Sequence, residues 1–434
     1  NNNIYVFTTL NQKKEKLNTL HMQVFDTKTL TPKTGRKEIA QIDYSQYGKL
    51  NRGFYGYDIS PDGSKVMIYY QLPTKAGENE RFGVKVYDSN FIRLWEREVR
   101  MPYKGSDFYI EDYRVSNAGE LFIVGTHFEP SEQQSELRIL FGKKRDRSPN
   151  FTYEIIRYAK RGEANPVSVS LGENFITDLK LAIDDDGNMV CAGFYSEKGT
   201  WSIKGAFFLT VDHQSNIIRN KTTKEFSLDF IMQNMTDKEV KRTQKQLDKG
   251  RDVELYEYDL DQIVLRDDGG AVLVGEQYYV NVVTSTSFSP NGGTTTTTTY
   301  YYNYHDIIVV SMSPQGQIDW AERIPKRQIT KNDGGYYSSY SMAAVDDKLY
   351  FVFNDNPKNI YDQVSGRTYA FNGKNSVVAL VEMSAGGRYV KEALIANREL
   401  GVLTRPKVCE QISDREMIIY GQMKKKYRMI KATF

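Results

Sequence analysis

Five aspartates, Asp58, Asp112, Asp178, Asp259 and Asp261, stand a few residues ahead of Gly-containing turns, in stretches that read as β-strands. Carboxylates brought together in this way serve glycoside cleavage, one as acid and a second as base or nucleophile. Their offsets from the following glycine differ, so they do not form one aligned ring. Capping of strand starts, or pairing with arginine from a neighbouring unit, explains them without chemistry. His21, His127, His213 and His305 make no i, i+4 pair and no H-E-x-x-H, so no metal site is legible. Asp184-Asp185-Asp186-Gly187 superficially resembles a calcium loop, but the alternate ligands and distant glutamate are missing and a turn suffices. No nucleophile elbow, phosphate loop or dinucleotide fingerprint occurs. Cys191 and Cys409 exclude a disulfide framework and a C-x-x-C site, and read as small buried hydrophobes. The residues predict neither cofactor nor metal, and a protein that is not an enzyme.

Binding is better represented. Tyrosine occurs 31 times and aromatics make up 13% of the 434 residues. A tyrosine ring buries area while its hydroxyl stays wet, which suits interfaces. Four aromatic clusters precede strands: Gly53-Phe54-Tyr55-Gly56-Tyr57, Asp107-Phe108-Tyr109, Leu255-Tyr256-Glu257-Tyr258 and Gly335-Tyr336-Tyr337-Ser338-Ser339-Tyr340. With Tyr278, Tyr279, Tyr300, Tyr301 and Tyr302 they supply the expected partner-binding set: Tyr55, Tyr57, Tyr109, Tyr256, Tyr336, Tyr337, Tyr340 and those five. Packing of each ring between neighbouring units is the competing reading.

These residues sit in a repeat. Short apolar runs start at Ile4, Lys65, Glu120, Asn188, Gly270, Lys348 and Glu416, spaced by roughly 55 to 80 residues. Each is followed by a second run, at Leu20, Phe82, Glu136, Gly205, Asp306, Val377 and Arg428. Ser60-Pro61-Asp62-Gly63, Ser116-Asn117-Ala118-Gly119, Asp184–Gly187 and Arg266-Asp267-Asp268-Gly269 are type I turns closed by a positive-φ glycine, hence hairpins. A more polar outer strand follows, as in LWEREV from Leu94, DWAERIP from Asp319 and VKEALI from Val390. The expectation is an all-β fold: one β-propeller over residues 1–434, of about seven four-stranded blades. The first unit lacks its inner strand and the last its outer one, so closure either shares a mixed blade or leaves incomplete terminal blades.

Two insertions break the pattern. Residues 227–257 read as a surface helix, with a capping box at Thr236–Glu239, a stop at Gly250 and only Val240 and Leu247 apolar inside it. Residues 277–306 read as two β-prone arms around Ser289-Pro290-Asn291-Gly292-Gly293, a long hairpin projecting beyond the propeller body. Net charge is only +3, and the runs Lys143-Lys144-Arg145 and Lys424-Lys425-Lys426 are short, so no nucleic-acid partner is implied. No apolar stretch is long enough for a membrane helix. The chain opens on Asn1-Asn2-Asn3, which reads as a processed N-terminus and favours export.

LYEYDLD at 255–261, DDGGAVLVGEQYYV at 267–280, the Thr-Tyr run from Thr294, WAERIPKRQ from Trp320 and NDGGYYSSYS from Asn332 resemble a group of exported β-propeller proteins of the Bacteroidota. The resemblance covers much of 176–360 and implies a periplasmic or outer-membrane-associated protein. Propellers of that phylum's envelope act as accessory subunits, including the periplasmic plug of the type 9 protein-secretion translocon. The implied partner is a large outer-membrane β-barrel or another envelope protein. The alternatives are a glycan hydrolase or lyase using channel carboxylates, and a surface glycan-binding module.

Overall fold

A computed structural model describes residues 3–47, 52–75, 77–128, 151–162, 166–197, 202–251, 253–288, 293–362 and 367–434. The strands form successive antiparallel meanders. Blade 1 has three strands, Asn3–Gln12, Leu17–Asp26 and Lys37–Asp43. Blades 2, 3, 4 and 6 are four-stranded, with inner strands Tyr55–Ile59, Phe108–Val115, Phe175–Ile183 and Ser341–Val345. Blade 5 starts at Tyr258–Leu265 and adds a fifth strand, Gln328–Lys331. In blade 7, Leu403–Thr404 and Glu410–Ser413 share one edge of Glu416–Met423, and Lys426–Thr433 takes the other. Among the described residues blades 1 and 7 share no strand, as expected if the terminal blades are incomplete.

The period-2 alternation of each apolar run explains how the sheets stack. Leu121 and Ile123 face blade 2, whereas Phe122 and Val124 face blade 4. Six buried clusters result, one for each consecutive pair of blades. The inner strands of blades 2, 3, 4 and 5 contact one another in sequence. The chain is a β-propeller.

The expected turns are present: Gly63, Gly119, Gly187 and Gly269 all have positive φ and close four-residue hydrogen-bonded turns. The expected run at Glu136 and the basic run at 143–145 lie outside the described residues. The third strand of blade 3 is Phe151–Tyr158, which pairs with Leu121–Phe128 in register. The helical insertion differs from expectation in having two helices. The first, α1 (Leu228–Met232), buries Phe230 and Ile231 between blades 4 and 5. The second, α2 (Asp237–Leu247), is the surface helix, with the Glu239 carboxylate accepting from Thr236 N and Oγ1. Helix ends by Leu247, and Leu255–Tyr256 instead pairs with Ser202–Ile203. Phe230 and Ile231 anchor the insertion, so the narrow stripe of α2 does not have to.

Candidate functional site

The two middle strands of blade 5, Ala271–Phe288 and Thr294–Met312, run on past the body as one hairpin. Eleven pairs lie between Tyr278↔Tyr304 and Phe288↔Thr294, a ribbon of about 34 Å at about 3.4 Å per residue. The strand Gln328–Lys331 supports its base along Tyr301–Tyr304, and Asn332 bonds the backbone of Tyr300. Beyond Tyr300 no described residue pairs with either edge. Residues 277–305 contain no Asp, Glu, Lys or Arg, in a chain that is 26% charged. Val282, Val283 and Tyr300 are exposed, and Phe288 is 79% exposed.

Cross-strand pairing sorts the ribbon into two faces. Tyr278/Tyr304, Val280/Tyr302, Val282/Tyr300, Thr284/Thr298, Thr286/Thr296 and Phe288/Thr294 share one. The Thr284–Thr298 and Thr286–Thr296 hydroxyls are hydrogen-bonded across it. Tyr279 and the Asn281/Tyr301 pair lie on the other, where Lys331 Nζ sits 4.9 Å from the Tyr301 ring and the Tyr279 hydroxyl meets His305 Nε2. Burial depresses His305 to about 4, so this histidine is neutral.

At the foot of the first face, Tyr278 and Tyr304 pack with centroids 4.6 Å apart. Burial beside Tyr304 pushes the Tyr278 hydroxyl up to about 12. Gly335 (φ +68) lies against the Tyr304 ring, where a Cβ would come within 2.3 Å. Lys407 Nζ donates to Tyr304 Oη at 2.6 Å. Alongside, the Arg405 guanidinium stacks 3.8 Å from the Tyr336 ring, a cation–π contact. Tyr336 and Arg405 both donate to Gln422 Oε1. Tyr337 meets Tyr336 edge-on at 5.0 Å.

The structure therefore gathers Tyr278, Tyr302, Tyr300, Tyr336 and Tyr337 around one corner. Tyr301 and Tyr279 line the ribbon's opposite face. Tyr57, Tyr109 and Tyr256 stay exposed on blades 2 and 3 and at the entry to blade 5. Two members of the set point inward. Tyr55 donates to Asn18 O from between blades 1 and 2, and Tyr340 is buried, donating to Asp261 Oδ2 at 2.7 Å. Arg405, Lys407 and Gln422 escaped the sequence reading, for they lie in blade 7 and no local pattern links them to the hairpin.

The inner-strand aspartates make a second constellation. Asp58 Oδ2 accepts from Val115 N, and Asp178 Oδ2 accepts from Leu260 N, each carboxylate stitching its strand to another blade's inner strand. Asp112 pairs with Arg114, which also reaches Asp58. The inner strands of blades 3, 4 and 5 each bulge, at Glu111, Thr177 and Asp261. Gly125, Gly193 and Gly275 lie on the facing strand, and a Cβ on Gly193 would come 2.0 Å from Asp178 O. Asp259 and Asp261 are reached by solvent yet crowded by protein. That crowding, then Asp178 and Glu276, raises Asp259 to about 6. Crowding and Glu276 raise Asp261 to about 7, against the Tyr340 hydrogen bond. Among the described residues no group of His, Cys, Asp and Glu is placed to hold a metal ion.

No family model and no curated protein matches the chain. Among solved structures it is similar to the polysaccharide lyase Uly1, at 11% identity and TM-score 0.44 over 99% of this chain and 88% of that one. It is also similar to the β-propeller domain of the Trilobed protease from Pyrococcus furiosus, at 9% identity and TM-score 0.41, covering 100% and 90%. The WD40 domain of SCAP from fission yeast follows at 10% identity and TM-score 0.32, covering 100% and 98%. Likeness at that level says nothing of activity, and the propeller assignment rests on the sheets and the cores between them.

Proposed function

We propose that this propeller is a non-enzymatic protein of the cell envelope that binds another protein through its hairpin and the tyrosines at the hairpin's foot. One observation carries the reading: an uncharged two-stranded ribbon that stands clear of the body. Such a ribbon is marginal in water by itself, and soluble proteins usually blunt a free edge with charge, proline or a bulge. The arms beyond Tyr278 have none of these. Covering Val282, Tyr300 or Phe288 would contribute about 1.5–3 kcal/mol for each side chain fully buried. The resemblance to exported Bacteroidota propellers supports a large outer-membrane β-barrel as the partner, and an accessory or plug role at a type 9 secretion channel.

The test is to replace Val280–Tyr302 by an Asn-Gly turn joining Tyr279 to Asn303, then purify the protein from its own cells in mild detergent. The expected result is a protein that still unfolds cooperatively, with loss of a stoichiometric partner. A complex that survives the truncation refutes the assignment.

A second reading has its own observation. Crowding by protein pushes Asp259 up to about 6 and Asp261 up to about 7, toward the range a general acid of glycan cleavage needs. It requires that Asp259→Asn and Asp261→Asn abolish turnover of some polysaccharide. The binding reading requires that both variants still form the complex.

A further inference from the structure

The corner between the hairpin's foot and blade 7 is cationic, and among the described residues no carboxylate pairs with Arg405 or Lys407. Arg405 and Lys407 are held by Tyr336, Gln422 and Tyr304, aromatic and neutral groups. Arg405 is half-buried and Lys407 exposed; of other half-buried cations, Arg114, Lys204 and Arg266 face carboxylates. Arg405 Nε is buried with no hydrogen-bond partner. The acids in the neighbourhood are Asp333, whose Oδ1 accepts from Thr330 Oγ1 and Gly335 N, the buried Glu276, which is paired with Lys326, and the exposed Glu410.

The charge around this corner points the same way. Residues 401–434 hold eight Lys and Arg against three Asp and Glu, a net charge of +5 in a chain whose total is +3. Arg415 and Lys431 are paired with Asp346 and Glu416. Lys424, Lys425 and Lys426 are exposed on the turn, which Gln422 Nε2 ties to the corner through Lys424 O. The first face of the ribbon carries no charged side chain and meets this floor at its foot, where Lys407 bonds Tyr304.

We propose that the corner seats an acidic segment of the partner protein, an extended stretch whose Asp or Glu carboxylates are taken by Arg405 and Lys407 while its backbone lies along that uncharged face. A stacked guanidinium presents its remaining N–H groups in a fixed fork that matches a carboxylate. Lys407 supplies a second charge close to it. The uncharged face sets no charge against the segment, so its carboxylates find their only counter-ions on the floor. The inference rests on the partner being a protein.

The probe is a fluorescein-labelled ten-residue peptide alternating Glu and Val, with a Gln-for-Glu peptide as control, titrated against the full chain by anisotropy. The wild type should bind the Glu peptide and not the Gln peptide, with affinity falling as salt shortens the range of the charges. Arg405→Gln combined with Lys407→Gln should weaken binding about tenfold to hundredfold, as loss of charge-assisted hydrogen bonds does. Its unfolding curve should match the wild type, and Lys424→Gln serves as a milder variant if it does not. Equal binding of both peptides, no binding, or preferential binding to phosphatidylglycerol vesicles overturns the proposal. In the native complex the two ideas separate. Loss on hairpin truncation with survival of the Arg405 and Lys407 substitutions defeats only the acidic segment; survival of both defeats the protein-binding reading as well.

Discussion

Replacing Lys326 by methionine tests how blade 5 is held. Lys326 is 1% exposed and Glu276 3%, and the ammonium bonds Glu276 Oε1 and Gln328 Oε1. The other Glu276 oxygen accepts from Ser339 Oγ. Methionine fills most of the lysine's volume, so little of the effect is a cavity. What remains is a buried carboxylate with one hydroxyl donor, and breaking a buried pair from one side costs about 3–5 kcal/mol. That is a large share of an ordinary domain's stability of about 5–15 kcal/mol. Removing both charges, Lys326→Met with Glu276→Leu, takes away the uncompensated carboxylate and should recover at least half of the loss. The assay is urea unfolding followed by tryptophan fluorescence, with Trp320 in the outer strand of the same blade as a reporter. A single variant costing under about 1 kcal/mol, or a double variant less stable than the single, would show that the pair is not buried as described.

Two further outcomes follow from the inner strands and the glycines that face them. Gly193→Ala places a methyl 2.0 Å from Asp178 O and 2.8 Å from the Phe207 ring, so it should cost at least about 1–3 kcal/mol, the range for overpacked cores. Gly386→Ala, with open space around its Cβ, should change the urea midpoint far less. Asp261, raised to about 7, makes the folded state hold a proton that the unfolded chain releases near pH 4. Its ionisation penalty is therefore absent below about pH 4, grows as pH rises and is complete above about 7. Asp261→Asn should gain on the wild type between pH 5 and pH 8; parallel stability profiles would contradict this.

Most of the scaffold was legible because it is written in local pattern. The apolar runs at Lys65, Asn188 and Lys348 are short and near-continuous, as strands buried on both faces are, and all are second strands of blades. The Asn-Gly signal between β-branched arms gave the ribbon, and Thr236–Glu239 gave α2. Where the pattern was not distinctive, reading went astray: FTYEIIRY carries Glu154 and Arg157 within it, yet it is the third strand of blade 3. Phe230 and Ile231 were hidden in a stretch that looked charged, though their burial anchors the insertion. The site needed distant contacts. Asp178 meets Leu260 N across 82 residues, and Lys407 meets Tyr304 across 103, which no local spacing encodes. The glycine ending the runs at Glu120, Asn188 and Gly270 was a signal for the bulges, since only a missing Cβ lets the facing carbonyl approach.

Because the ribbon continues the two middle strands of a blade, it is not hinged to the body by a loop. Its ladder runs from Phe288↔Thr294 to Ala271↔Met312 with one bulge, beside Glu276. A pull at the tip is therefore carried by backbone hydrogen bonds straight down to the ion pair of Glu276 and Lys326, and across the Ser339 hydroxyl into blade 6. Whatever grips the ribbon pulls directly on the sheet, and its load is felt between two blades before any surface loop can absorb it.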